Sequence, residues 1–293
     1  MEVKWRWLLV TAIAPIAWGS NYFVTRQFLP EDAPLWGAVI RALPAGLLLL
    51  ALARERPRGS WWWKSLVLGT LNVGAFFVLI YLASQLLPTS VASTVMASSA
   101  AVLLLLAWPL LSERPALVSV IGAAIGFAGV CLMLLSGGGT GTGSSPIDPL
   151  GIAVSLGAML MSSLGFVLTK KWGAGVRLLP LTAWQLVAGA LVVLPLAALV
   201  EGPPPAVDVP AALAFAYVTL VATALAFVAW FAGLRHLPAG SVGLVGLLNP
   251  MTGVLLGTLL AHEAFGLQQA LGTALVLAGV LTGQLRTRRI HSP

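Results

Sequence analysis

Long apolar segments, separated by short polar or proline-containing stretches, make up most of the chain. Ten such segments are readable, at residues 7–27, 34–53, 64–86, 89–111, 116–135, 149–170, 180–200, 210–233, 239–261 and 265–285. Each is close to the about 20 apolar residues that a helix needs to cross a bilayer. The pattern predicts an all-α polytopic membrane protein with ten transmembrane helices.

A repeat at a constant offset of 150 residues relates the two halves of the chain. Residues 83–135 and 233–285 are identical at 14 of 53 positions without a gap. Each copy belongs to a unit of five predicted helices, and an odd number of crossings puts the two units in opposite orientations. The predicted units are a first repeat at 1–136, a Gly/Ser-rich external linker at 137–148, and a second, inverted repeat with a basic tail at 149–293.

The composition is that of a chain surrounded by lipid. Charged residues make up 9% and hydrophobic residues 59%, with a mean hydropathy of +0.97. A soluble domain carries about a quarter charged residues, so a water-soluble protein is excluded. Cys131 is the single cysteine, and the three histidines fall in predicted loops or the tail. We therefore predict no disulfide, no metal site and no cofactor.

Basic residues are divided unevenly between alternate loops. With a cytoplasmic N-terminus, fourteen of the sixteen Lys and Arg residues lie in inner segments, whereas the outer loops carry acidic residues such as Glu31, Asp32 and Asp148. Basic loops are retained on the cytoplasmic side of a membrane. The pattern predicts that both termini are cytoplasmic, and it explains the net charge of +7 without nucleic acid as a partner.

Three further features carry a resemblance to a known family. They are Trp18-Gly19-Ser20-Asn21 in the first helix, the Leu-Pro pairs before helices four and nine, and Glu113 and Glu263 at the ends of those helices. With its five-plus-five plan, the chain resembles the EamA-type drug/metabolite transporter superfamily, and within it the bacterial aromatic amino acid exporters. The resemblance implies inner-membrane efflux by alternating access, with a central cavity lined by helices one to four and six to nine.

Polar and aromatic side chains form stripes at helical spacing in several predicted helices. Amides are costly in contact with lipid and are expected to face the interior of the bundle. For each amide the alternative is a helix–helix hydrogen bond, and for each ring it is core packing. The candidates for the substrate cavity are Trp18, Asn21, Tyr22, Arg41, Asn72, Phe76, Phe77, Tyr81, Thr94, Ser98, Ser163, Trp184, Gln185, Thr223, Phe227, Trp230 and Asn249.

Charged groups near the membrane interior have two interpretations each. Arg41 lies about two turns inside the second span, where it either reaches the outer surface and pairs with Glu31 or Asp32, or attracts a substrate carboxylate in the cavity. Glu113 and Glu263 either cap neighbouring helices or act in gating. A buried carboxylate that would couple transport to protons is not evident.

The ninth span contains a candidate hinge. Asn249-Pro250 interrupts it, and proline there allows a kink. Gly243, Gly246 and Pro250 are the candidate gating residues. The matching positions of the first half are Ser99-Ala100, so an asymmetric kink is expected. Gly122 and Gly126, partly repeated by Gly272 and Gly279, are expected to brace each half by close packing.

The favoured function is export of metabolites, with amino acids, including aromatic ones, as the expected cargo. Alternatives in the same superfamily are multidrug or organic-cation export and a nucleoside-type permease. An intramembrane lipid-modifying enzyme is disfavoured because no buried carboxylate pair is present, and a channel is disfavoured by the inverted repeat. The expected partners are a small-molecule substrate and the lipid bilayer, and the oligomeric state is left open.

Overall fold

The computed structural model describes residues 2–30, 32–86, 95–137, 148–260 and 266–284, in which all regular elements are helices. In the first half, α1 is Glu2–Phe28, α2 Pro34–Ala53, α3 Trp61–Gly69 and Ala75–Leu86, α4 Val95–Leu111 and α5 Leu117–Gly137. In the second half, α6 is Pro149–Trp172, α7 Leu178–Val200, α8 Val209–Thr219 and Ala226–His236, α9 Ala239–Gly246 and Leu248–Leu260, and α10 Leu267–Gly283.

Six of these helices are long and apolar enough to cross a membrane. They are Lys4–Thr25, Pro34–Ala53, Trp61–Ala83, Pro149–Trp172, Leu178–Val200 and Val209–His236, with mean hydropathies from 1.3 to 2.2. Shorter apolar helices lie at Val95–Leu111, Leu117–Leu132 and Ala270–Gly283. The predicted class, an all-α membrane protein with several spans, is confirmed.

Helices of the first half pack mainly on helices of the second half. α5 lies along α10 and α2 along α7, while α1 packs on α8 and α9, and α6 packs on α3 and α4. Because the halves interlock in this way, their packed faces form one continuous core, which includes Val39, Val73, Leu186 and Phe227. Any cavity at the centre is walled by both halves.

Glycines join α5 to α10 at backbone distance. A Cβ built on Gly279 would lie 2.5 Å from the nitrogen of Gly126 and 2.6 Å from the carbonyl oxygen of Gly122. A Cβ on Gly129 would lie 2.7 Å from the carbonyl oxygen of Gly272. These glycines were expected to brace each half separately; instead they form a seam between the halves, because α5 and α10 are each other's main neighbours.

Reciprocal tryptophan contacts fasten α2 to α7. The Trp36 indole donates to the carbonyl of Gly202, just beyond α7, at 3.0 Å, and the Trp184 indole donates to the carbonyl of Glu55, just beyond α2, at 2.9 Å. The Glu201 carboxylate also accepts from the N–H groups of Leu35 and Trp36. It thereby satisfies amides at the start of α2 that have no partner within that helix.

The bundle has two ends, which we name by residues. The Lys170 end is where α6 ends and α9 begins; the Glu201 end is where α7 ends and α2 begins. At the Lys170 end, Glu113 Oε1 lies 2.5 Å from Lys170 Nζ, and Oε2 accepts from the Ala239 N–H at 2.7 Å. The capping role expected for Glu113 is thus present, and Glu263 lies outside the described residues.

Helices near the middle of the bundle are interrupted at matching positions. π turns occur at Thr70–Gly74 in α3 and at Leu220–Leu225 in α8, and they begin 150 residues apart. α9 is interrupted at Leu247, after which Pro250 falls in the first turn of the next segment, where its missing N–H is harmless.

The expected asymmetry of that kink is not found, because α4 is interrupted as well. The break in α4 falls at Ser98, whose hydroxyl donates to the carbonyl of Val95 at 2.5 Å. A serine hydroxyl that bonds the preceding turn competes with the helix's own hydrogen bonds. In the first half, α4 is therefore interrupted without a proline.

Candidate functional site

A central cavity opens between the two halves, with an empty volume of about 840 Å³ including its mouth. Of the residues proposed from the sequence, those that line it are Trp18, Asn21, Arg41, Phe76, Phe77, Trp230 and Asn249, together with Gly246 and Pro250 of the candidate hinge. The lining therefore comes from α1, α2, α3, α8 and α9, with α4 and α6 closing the ring.

Aromatic rings wall one side of the cavity. The Trp18 ring centroid lies 5.2 Å from that of Trp230 and 6.2 Å from that of Phe166, and Phe166 and Trp230 are 5.4 Å apart. Phe77 and Phe76, whose ring centroids are 5.8 Å apart, also line the cavity. Stacked and tilted pairs at these separations are favourable beyond their burial, so the contacts stabilise the wall.

Arg41 is held inside the bundle rather than at the membrane surface. Its Nε donates to Thr223 Oγ1 at 3.1 Å, its Nη2 lies 3.5 Å from the carbonyl oxygen of Ala222, and its Cζ is 3.9 Å from the ring centroid of Phe77. A guanidinium is well suited to such a site because it is weakly hydrated and stacks on rings. Arg41 lines the cavity, and Glu31, one of the two carboxylates with which it was expected to pair, lies outside the described residues.

The π turn of α8 explains why the Ala222 carbonyl is available. The N–H of Ala226 bonds to the carbonyls of Val221, five residues back, and Thr223, instead of to the carbonyl of Ala222. Ala222 thereby loses its usual helical donor and accepts instead from the Trp18 indole at 3.0 Å and from Arg41. π turns of this kind are frequent at functional sites because they release a backbone group. Here the released carbonyl positions two residues of the cavity.

Two buried polar atoms at the cavity have no hydrogen-bond partner among the described residues. They are Asn21 Oδ1 and Trp230 Nε1, in side chains that are 9% and 3% exposed. An unsatisfied buried group costs about 1–3 kcal/mol, which a ligand or water can recover. The cavity thus offers an acceptor and a donor beside the Arg41 cation.

The Trp18-Gly19-Ser20-Asn21 motif has one role at each position. Trp18 and Asn21 line the cavity, and Gly19 is packed so closely on the Asn249 carbonyl that no Cβ fits. Ser20 Oγ lies 2.5 Å from the Tyr217 hydroxyl. The motif therefore positions α1 against α8 and α9 and presents one ring and one amide to the cavity.

Several predicted cavity residues lie elsewhere, for identifiable reasons. Phe227 and Thr223 form a layer behind the cavity, where Phe227 packs on Trp18 and Thr223 accepts from Arg41. Gly243 packs on Leu103 and Ala100, and the Tyr81 hydroxyl donates to the carbonyl of Pro30. Ser98, Ser163 and Trp184 are engaged by Val95, Met159 and Glu55, respectively. The Tyr22 side chain and Thr94 lie outside the described residues.

Asn72 and Gln185 form a helix–helix network away from the cavity. Asn72 Nδ2 donates to Gln185 Oε1 at 2.8 Å and to Thr169 Oγ1 at 3.0 Å, and Thr169 Oγ1 donates to Gln185 Oε1 at 3.1 Å. All three are almost fully buried. The network joins α3, α6 and α7, which is the alternative that the sequence left open for these amides.

Gln185→Leu is expected to destabilise the protein by about 1–3 kcal/mol without altering substrate selectivity, because it removes the oxygen that accepts from both Asn72 and Thr169 in a buried site. Thermal unfolding in detergent, with ligand competition as the second measurement, checks this. Gln185→Glu retains an acceptor and is the comparison variant. A changed order of substrate preference in Gln185→Leu would contradict the structural role.

Some of the lining was not among the residues proposed from the sequence. Ile80, Met96, Ala97, Ser99, Leu103, Ser162 and Phe166 also face the cavity. Phe166 and Ser162 belong to a visible polar-aromatic stripe in α6. Ile80, Ala97 and Leu103 carry no signal that separates them from ordinary core or lipid-facing residues, because their side chains are simply apolar.

Interlocked apolar helices around a central cavity, with a partly buried cation and aromatic walls, define a polytopic membrane transporter. The family model of the EamA-like transporter family matches residues 5–135 and 149–282. The chain belongs to this family.

Relatives of known sequence and structure agree with this assignment. The chain is 36% identical over 273 residues to Protein PecM of Dickeya dadantii (strain 3937), covering 92% of this chain and 90% of PecM. It is 26% identical to the uncharacterised transporter YvbV of Bacillus subtilis (strain 168), with 94% and 91% covered. A solved crystal structure with 21% identity superimposes with a TM-score of 0.81 over 98% of this chain and 99% of that chain, so the two share a fold.

Proposed function

We propose that this protein exports amino acids, including aromatic ones, across the bacterial inner membrane by alternating access. The observation that carries the proposal is the central cavity, which combines aromatic walls with the Arg41 guanidinium and the unpartnered oxygen of Asn21. Rings can hold an aromatic side chain, the guanidinium a carboxylate, and the amide oxygen an ammonium.

The proposed architecture is ten spans in two inverted repeats, at 1–136 and 149–293, with 137–148 as an external linker. Exchange of α1–α5 with α6–α10 leaves the neighbour relations unchanged: α1 on α8 corresponds to α6 on α3, and α1 on α9 to α6 on α4. The same exchange maps the α2–α7 pair and the α5–α10 pair onto themselves, and it matches the π turn of α3 with that of α8. This symmetry supports a two-fold axis in the membrane plane and two equivalent states.

The Lys170 end is the proposed cytoplasmic side, where both termini would lie. Nine basic side chains of the described residues gather there: Arg54, Arg56, Arg58, Lys64, Arg114, Lys170, Lys171, Arg177 and Arg235. The charged loop residues that the structure describes at the Glu201 end are acidic, namely Asp32, Asp148, Glu201 and Asp208. Retention of basic loops in the cytoplasm supports this orientation.

Flux in proteoliposomes tests the proposal. Phenylalanine, tryptophan, tyrosine and threonine are expected to show saturable uptake that is accelerated by unlabelled substrate on the opposite side, because a carrier returns faster when loaded. The same assay with an organic dication tests the alternative of organic-cation export, which saturable flux of the dication without flux of amino acids would favour. Flux without trans-acceleration indicates a channel, and the absence of flux for every amino acid overturns the proposal.

A further inference from the structure

We propose that the Lys170 end carries a binding site for the phosphodiester headgroup of an anionic phospholipid, centred on the Lys64 ammonium between α3 and α6. The site consists of Lys64 and the indole rings of Trp61, Trp63 and Trp172, and we call it the Lys64 cage. None of these residues lines the central cavity. The inference concerns the surrounding lipid rather than the cargo and does not depend on the proposed function.

The cage brings three rings from two helices around one ammonium. Lys64 Nζ lies 5.4 Å from the ring centroid of Trp61 and 5.8 Å from that of Trp63, both in the first turn of α3. The Trp172 centroid, at the end of α6, is 6.0 Å away and packs edge-on against Trp63 at 5.3 Å. At such distances ring faces attract a cation. The rings thus favour a position of the ammonium between α3 and α6 without neutralising its charge.

The charge of Lys64 is not balanced by a carboxylate. Among the described residues, its Nζ has neither a hydrogen bond nor an ion pair. Both carboxylates whose positions the structure describes at this end, Glu55 and Glu113, form ion pairs with other basic residues. Arg58, in the loop before α3, and Lys171, beside Trp172 in α6, are exposed and add positive charge on the same side. Such a surface attracts an anion.

The surroundings of the cage favour a lipid over a soluble anion. Trp63 is 51% exposed, and Leu66 and Val67, one turn further along α3, are exposed as well. Indole rings at the end of an apolar helix lie at the level of the lipid headgroups. A phosphodiester at Lys64 would therefore have its acyl chains along Leu66 and Val67. Basic pockets between helices near the membrane surface bind the headgroups of anionic lipids in this way.

The cage is expected to distinguish headgroups by their charge. Lys64 already occupies the ring faces that could bind a quaternary ammonium, so the choline of phosphatidylcholine finds no ring and is repelled by the lysine. Phosphatidylglycerol carries the same phosphodiester without that cation. Phosphatidylglycerol should therefore bind more tightly than phosphatidylcholine.

Native mass spectrometry of the full chain in detergent measures this preference, with the two lipids titrated separately and with identical acyl chains. The apparent dissociation constant for phosphatidylglycerol is expected to be about tenfold lower than that for phosphatidylcholine. Glycerol 3-phosphate, which lacks acyl chains, should bind about tenfold more weakly than phosphatidylglycerol or not at all. Equal binding of the two lipids overturns the inference. Binding of glycerol 3-phosphate as tightly as phosphatidylglycerol also overturns it, because the site would then be one for small anions.

Lys64→Gln assigns the preference to the cage. It is expected to weaken phosphatidylglycerol binding about tenfold and to leave phosphatidylcholine binding unchanged, which shows that the variant is folded. Lys171→Gln is the matched control, because it removes the same charge from an exposed position that has no ring contact among the described residues. This control should weaken phosphatidylglycerol by less than about threefold. An equal loss in both variants indicates diffuse attraction by the basic surface and contradicts a site at Lys64.

Trp172 tests whether α6 contributes to the site. Trp172→Leu removes one ring and should weaken phosphatidylglycerol binding about threefold, whereas Trp172→Phe keeps a ring face and should retain most of the affinity. Phosphatidylcholine binding again serves as the folding control. The same affinity for phosphatidylglycerol in Trp172→Leu as in the unmodified protein would contradict a cage that spans α3 and α6.

Discussion

Gly279→Ala is expected to lower the thermal stability of the protein sharply, although a single methyl group is added and alanine favours helix by about 1 kcal/mol over glycine. The new Cβ would lie 2.5 Å from the Gly126 nitrogen and 2.6 Å from the Gly122 carbonyl, both of which are backbone atoms that cannot rotate away. α10 must therefore shift along its whole contact with α5. Such overpacking costs about 1–3 kcal/mol, and more when backbone is the obstacle.

The measurement is thermal unfolding of the purified protein in detergent, with folded yield as a second readout. A fall in melting temperature of roughly 5 °C or more is expected for Gly279→Ala. Gly157→Ala is the matched control, because a Cβ there has only Leu79 Cδ1 within reach, at 3.8 Å. Gly157→Ala should have the stability of the unmodified protein or slightly more. Equal melting temperatures for the two variants would contradict the close glycine packing between α5 and α10.

Lys170→Met is expected to open the Lys170 end of the bundle. Lys170 bridges the Glu113 carboxylate at 2.5 Å and the Leu237 carbonyl at 2.6 Å, and thereby ties the ends of α4 and α6 to the turn before α9. The Lys170 and Glu113 side chains are only 18% and 27% exposed, so this ion pair is partly shielded from solvent. Loss of one partner of such a pair costs about 1–2 kcal/mol and shifts a two-state equilibrium by roughly five- to thirtyfold.

Cysteine labelling from the Lys170 end, the proposed cytoplasmic side, measures this shift. Ser162→Cys places a thiol on the cavity wall, in a background where Cys131 is replaced by alanine. Lys170→Met should raise its labelling rate with a membrane-impermeant reagent about tenfold. Lys171→Met, at a neighbouring exposed position, removes the same charge without touching Glu113 and should leave the rate unchanged. Equal rates in both variants would show that the bridge does not control access.

Apolar periodicity and charge placement were sufficient to predict the class of fold, because both follow directly from the bilayer. Trp184 shows the limit of prediction from such patterns. Its position in the sequence predicts an aromatic residue deep in the bundle, yet its indole donates to the carbonyl of Glu55 at the Lys170 end. Which backbone carbonyl lies across from a side chain depends on the crossing of α2 and α7, which no local pattern encodes.

The buried amides show the same limit of prediction from sequence. Asn21, Asn72 and Gln185 all had to face the interior, and they do. Asn21 lines the cavity, whereas Asn72 and Gln185 form a hydrogen bond with each other, because α3 and α7 are in contact at these residues. The free-energy cost of exposing an amide to lipid predicts that the amide is buried. Whether it then binds a ligand or another side chain depends on which helix packs against it. Ile80 and Leu103 were not predicted to line the cavity because their chemistry is that of the surrounding core.

The crossed tryptophan contacts of α2 and α7 have a mechanical consequence. Each helix is tethered to the chain just beyond the other, once near each end of the bundle, and these contacts oppose separation of the two helices. In the proposed alternating access they would act as a pivot while the remaining helices exchange positions. Arg41 would be carried on this pivot, whereas its partners Thr223 and Ala222 belong to α8, which would move. A carboxylate bound to Arg41 would therefore stay at a constant depth during transport, while the access route changes around it.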